Sequence, residues 1–245
     1  MRTVSLFAPL VACASATSIS LQPQHILSNP SETPSDFRIP TVHESVIQAR
    51  RILHLESIGT LSTVFPDGSS SLLPSENRPS GLGGSPIGLM DYFADCEPTT
   101  GNPTILAISI ATSFKNVAAG SNITLSLRWH PPSSAHAFSA ANLPRYSLIG
   151  HLESIDLAEV EKEKLTSCWL KYHPDSVAWL PGNRIHESHW VRLVVDEVYW
   201  IGGFGDRAYI GWIPAEEWRN VTREEVEECR LPGEKKAWDW KIWIN

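Results

Sequence analysis

The stretch His189–Ile213, HWVRLVVDEVYWIGGFGDRAYIGWI, constrains the fold more than any other. Val191, Leu193 and Val195 alternate with Trp190, Arg192 and Val194, the period of a strand with two different faces. After Asp196-Glu197 the apolar parity slips and resumes on Val198 and Trp200. One extra residue in a strand pattern predicts a bulge, which re-aims the second half of the strand. Gly202–Asp206 reads as a turn, and Ala208, Ile210 and Trp212 begin a further strand. Gly203-Phe204-Gly205-Asp206-Arg207-Ala208 has the spacing of a dinucleotide fingerprint. That motif works only where it opens a helix onto a pyrophosphate, and here a strand ending in Pro214 follows. Nucleotide binding of that kind is excluded.

The remaining chain supplies partners for this strand. Thr41-Val42-His43-Glu44 is a capping box opening a helix to about Glu56. Val46, Ile47, Ala49, Arg50, Leu53 and His54 recur on its inward face. Ser57–Val64 reads as the first strand, Pro66-Asp67-Gly68 as a turn, and Ser69–Pro74 as its hairpin partner. Ile87–Phe93, Thr104–Ile110, Asn122–Trp129 and Arg145–Ile155 follow as strands, with a short helix over Ala111–Ala119. Asp156 caps a second helix, Leu157 to about Tyr172, ended by His173-Pro174. Segment 173–188 is a long loop, and Pro214 starts a short helix. Seven or eight short strands with helices outside predict the α+β class, a mostly antiparallel barrel. One domain is expected over 41–222, after a Ser/Pro-rich lead at 17–40. Residues 223–245 form a helix end and a tail carrying Trp238, Trp240 and Trp243.

Composition narrows the function. A net charge of −7 gives no basic stripe for nucleic acid. No apolar run reaches the length of a membrane span. Met1–Ala16 has a basic start, a short apolar core and an Ala14-Ser15-Ala16 cleavage site, which reads as a secretory signal. The glycosylation sequons at Asn122 and Asn220 agree with export into a secretory or vacuolar lumen or beyond the cell. Cys96, Cys168 and Cys229 remain after the signal leaves with Cys13, and their spacing does not choose a pair. No CxxC pair exists, and His186 and His189 lack the helical spacing of a zinc motif, so no metal is expected. Gly83-Gly84-Ser85-Pro86-Ile87 fails as a nucleophile elbow at its last position. No catalytic residue emerges.

Strand Ile58–Val64, the Pro66-Asp67-Gly68 turn, Ser113-Phe114-Lys115-Asn116, strand Arg145–Ile155 and Trp200–Gly205 occur in an order that resembles the split barrel of the pyridoxamine 5′-phosphate oxidase superfamily. His173-Pro174, Trp179-Leu180-Pro181, His189-Trp190 and Pro214–Thr222 make the chain similar to its CREG-type branch. The resemblance implies a split β-barrel with flanking helices that forms a homodimer. In flavin-binding relatives FMN lies between the subunits, so Ser113, Lys115 and Asn116 become candidate phosphate ligands. Trp129 matches the tryptophan that ends the next strand in those enzymes. Two departures oppose that use. The arginine expected in Ser69–Pro74 is replaced by SSSLLP, and the C-terminal Arg-x-His is absent; lysine alone does not replace a bidentate clamp. The branch implies a non-catalytic secreted glycoprotein without cofactor, acting on a protein partner. The alternative is an FMN-dependent oxidoreductase or a haem-handling relative. A plain structural role for the same residues, with Ser113 capping a short helix, is the competing expectation.

Overall fold

The computed structural model describes residues 38–67, 78–132 and 139–234. The expected signal, most of the expected lead, the strand expected over Ser69–Pro74 and the Trp-rich tail therefore lie outside the described residues. Helix α1 (Val42–Leu55) begins with the capping box: Thr41 accepts from the Glu44 amide while Glu44 reaches back to the Thr41 amide. Its buried face carries Val46, Ala49, Ile52 and Leu53 together with Arg50.

Seven strands follow: β1 (Ile58–Val64), β2 (Pro86–Tyr92), β3 (Thr104–Ile108), β4 (Ile123–Arg128), β5 (Arg145–Ser154), β6 (Ser188–Ile201) and β7 (Ile210–Ile213). They form one antiparallel sheet in the order β2-β1-β4-β5-β6-β3, with β7 also on β6. A bridge between Ala94 and Thr104 ties the end of β2 to the start of β3, so the sheet curls into the expected split barrel. β6 organises it. One edge pairs with β5, while the other serves β3 through Ser188–Arg192 and β7 through Val198–Ile201. The predicted bulge lies between these halves, where Ile149 faces Glu197 but Gly150 faces Val195, leaving Asp196 unpaired. Gly150 makes this approach possible: a Cβ there would sit 1.9 Å from the Val194 carbonyl oxygen.

β1 pairs along its length with β2 and, over Thr60–Ser62 on its other edge, with β4; the hairpin partner expected at Ser69–Pro74 lies outside the described residues. Two expectations need correction. The helix expected over Leu157–Tyr172 is two helices, α3 (Leu157–Lys162) and α4 (Leu165–Tyr172). Lys164 breaks it with a left-handed φ of 51°. Val160 and Leu165 are five residues apart, about 140° around a helix; the break lets both enter one apolar cluster with Trp169 and Trp190. The loop after α4 contains a 3-10 turn, Pro174–Trp179, whose buried Ser176 accepts from the Trp169 indole at 2.7 Å.

The main core fills the barrel beneath α1 and includes Tyr146, Trp200 and Trp218. Helices α5 (Ala215–Asn220) and α6 (Arg223–Glu228) close it, and Val226 and Leu231 extend it beyond residue 222. Cys96 and Cys168 form a disulfide that ties the segment after β2 to α4; Cys229 is a free thiol.

Candidate functional site

The Ser113–Asn116 segment lies on helix α2 (Thr112–Ala118), which follows β3 directly. Ala111 is the residue before the first turn, and no side chain caps it, so Ser113 is not the cap. Ser113 and Asn116 are buried, as is Phe114, which enters the main core; Lys115 is half-buried. The helix is anchored on β1. The Asn116 side-chain amide donates to the Thr63 hydroxyl at 3.0 Å. Its backbone carbonyl accepts from the Ser121 amide at 2.9 Å, and the Ser121 hydroxyl in turn accepts from the Val64 amide at 2.8 Å. Thr63 sits at an inward position of β1 and was not singled out from the sequence, although its alternation with buried Leu61 was visible there.

A phosphate dianion requires several converging donors, the strongest of them charged. Ser113, Lys115 and Asn116 supply one charged donor between them. Asn116 gives one of its two side-chain N–H donors to Thr63, and its carbonyl oxygen is a buried acceptor without a partner among the described residues. The segment's other side-chain donors are the Ser113 hydroxyl and the Lys115 ammonium, which has no hydrogen-bond or ion-pair partner among the described residues. The described arginines are largely engaged elsewhere. Arg50 is buried and donates to the carbonyls of Trp218 at 2.8 Å and Pro98 at 2.5 Å, with its guanidinium over the Trp218 ring. Burial lowers its proton affinity. Arg192 joins Glu97, Glu153 and Glu159. As a flavin phosphate cradle, the set brings one cation and no bidentate arginine, and Ser69–Pro74 lies outside the described residues.

Trp129 is likewise committed inside the protein, its indole donating to the Pro232 carbonyl at 2.7 Å. His186 lies in the loop 182–188 and His189 in β6. Among the described residues, no group of three His, Cys, Asp or Glu side chains converges as a metal site. No helix there is long and apolar enough to cross a membrane. Asn122 and Asn220 are both exposed.

A family described as "CREG, beta-barrel" matches residues 40–220. The chain belongs to the CREG family. This places it in the CREG-type branch of the pyridoxamine 5′-phosphate oxidase-like split barrels, as the ordered motifs implied. Among solved structures, the CREG-family chain is similar to a haem-binding protein from Mycobacterium smegmatis, with 16% identity and a TM-score of 0.54. The likeness covers 76% of this chain and 62% of that protein, so the chain spans less than two thirds of its length. A protein of unknown function from Agrobacterium tumefaciens is 19% identical, with a TM-score of 0.48, over 82% of this chain and 64% of its own. A FAD-binding protein from Mesorhizobium loti is 13% identical, with a TM-score of 0.40, over 62% of this chain and 90% of its own. A comparison with curated protein sequences finds no match.

Proposed function

We propose that this CREG-family chain is a secreted or vacuolar-lumen glycoprotein that performs no catalysis and acts through a homodimeric split barrel on a protein partner. The observation that carries the reading is the Asn116–Thr63 bond. It ties α2 to β1 through one N–H of Asn116, leaving Lys115 as the single point charge of the segment. Export is supported by the signal-like Met1–Ala16, by the exposed sequon residues Asn122 and Asn220, and by the Cys96–Cys168 disulfide, a bond that persists in oxidising compartments.

Self-association is supported by the outer face of the sheet. The register aligns Met90, Thr60, Ser126, Ser147, Tyr199 and Trp212 in one row across six strands. Met90, Tyr199 and Trp212 are exposed at its two ends, with small hydroxyl residues between them. Such a face allows close approach at its centre and apolar contact at its rims, and a two-fold partner offers the same surface in return.

The second reading, an FMN- or haem-binding oxidoreductase, is favoured by Lys115, whose ammonium has no partner among the described residues. Expression of the full chain in a secreting eukaryotic host separates the two. The first predicts a colourless protein in the medium that sediments as a dimer and loses mass on removal of N-glycans. It also predicts that Asn122→Gln and Asn220→Gln each remove one glycan. A yellow or red protein, or one retained in the cytosol without glycan, overturns it.

A further inference from the structure

His43 stands in the first turn of α1, and both of its ring nitrogens face carboxylates. Nδ1 lies 3.2 Å from Glu217 of α5, and Nε2 lies 3.0 Å from Glu225 of α6. A neutral imidazole has one N–H donor and one bare lone pair. In that form it satisfies one carboxylate and turns the lone pair towards the other. Only the imidazolium donates to both. The three-helix contact is therefore complete in a single protonation state.

Both carboxylates are positioned without the histidine. Glu225 accepts from the Thr222 amide at 2.8 Å and the Thr222 hydroxyl at 2.9 Å through one oxygen, which leaves the other for His43. Glu217 is carried by α5, whose Trp218 is buried and whose Trp218 carbonyl is held by Arg50. The surroundings are acidic. On α1 the neighbouring Glu44 is already engaged by Arg38 and by its own cap. Helices α5 and α6 carry Glu216, Glu217, Glu224, Glu225, Glu227 and Glu228 against Arg219 and Arg223. Arg223 is paired with Glu227, and Arg219 reaches the Val195 carbonyl. Loss of the His43 proton removes the cation that lies between two acidic helices.

We propose that His43 is an acid-tightened latch: as imidazolium it ties α5 and α6 to α1, and on deprotonation it frees this helix pair to open locally. The electrostatics agree. Hydrogen bonding to Glu225, and then to Glu217, raises the His43 pKa above its ordinary value. The Glu225 carboxyl is held low by the Thr222 amide first and by His43 second. A raised folded-state pKa means that the latch is fully formed below the unfolded value of about 6.5 and is lost as pH climbs through the folded value. Opening stays local because other ties to this segment do not titrate in that range. Arg51 holds the Val226 carbonyl and Glu234, and Trp129 holds the Pro232 carbonyl.

The test is amide hydrogen exchange on the intact glycoprotein at about pH 5 and about pH 7.5, at equal ionic strength and normalised for intrinsic rates. Protection of α5 and α6 should fall about two- to fivefold at the higher pH, the range of exposed ion pairs, while β5 amides hold steady. His43→Gln should show the low value at both pH values. Should that variant not fold, Glu217→Gln and an NMR titration of the wild-type His43 ring carry the test: the ring must titrate above about 6.5, and lower in Glu217→Gln. Equal wild-type protection at both pH values overturns the latch. So does wild-type pH dependence surviving in His43→Gln, or a His43 ring titrating at or below the ordinary value.

Discussion

Removing the Cys96–Cys168 disulfide gives a perturbation whose size follows from the chain itself. The bond joins residues 72 positions apart. In the loop-entropy description, closing a loop of that length in the unfolded chain is worth about 4 kcal/mol at 25 °C, and native disulfides commonly deliver about 2–4 kcal/mol. Cys96 packs against the second apolar cluster around Trp169 and Trp190. The Cys96→Ser, Cys168→Ser double variant should therefore lose about 2–4 kcal/mol. For a domain of this size that corresponds to a melting temperature lower by about 4–16 °C. Urea denaturation followed by tryptophan fluorescence measures it, and reduction of the wild type should reproduce it. Alkylation in denaturant without reductant should label Cys229 and spare Cys96 and Cys168. Burial pushes the Cys229 thiol up to about 11, so Cys229 should label slowly in the folded protein. A double variant within about 0.5 kcal/mol of wild type refutes the reasoning, as does direct labelling of Cys96 or Cys168.

Gly150→Ala should cost at least about 4 kcal/mol or prevent folding, because the new methyl meets the Val194 carbonyl, a backbone atom that cannot swing aside. Gly205→Ala, whose nearest neighbour would be 3.5 Å away, should stay within about 1 kcal/mol in the same urea assay. His173 is buried, stacked on Tyr92 at 4.2 Å and bonded to the Phe93 carbonyl at 2.8 Å, and burial lowers its pKa. A lowered folded-state value means that the unfolded chain takes the proton first, so stability drops as pH falls below about 6.5. His173→Gln should flatten that acid limb of the urea midpoint, and an unchanged slope contradicts the assignment. The sign is opposite to that of His43.

Much of this architecture is legible in local chemistry. The capping box at Thr41, the inward Arg50 and the parity slip at Asp196 each follow from short-range spacing, and each is present as read. What escapes is non-local. Which strands pair with β1 depends on where the chain returns to it, and no local spacing encodes that β2 runs along its whole length. The Lys164 break has no glycine to announce it, since it arises because Val160 and Leu165 must share one cluster. The choice of Cys96 for Cys168 likewise depends on where α4 lies. At the site, the Ser113–Asn116 motif was visible, but its meaning was not. The Thr63 hydroxyl that takes the Asn116 amide comes from a strand distant in sequence.

The decisive measurement is a titration of FMN fluorescence with the full chain purified from a secreting eukaryotic host. With one Asn116 N–H on Thr63 and no arginine in Ser69–Pro74, FMN should remain free and fluorescent at micromolar protein, and Lys115→Ala should behave as wild type. Saturable quenching at micromolar protein, abolished by Lys115→Ala or Ser113→Ala, contradicts the account and makes the α2 segment a flavin phosphate site.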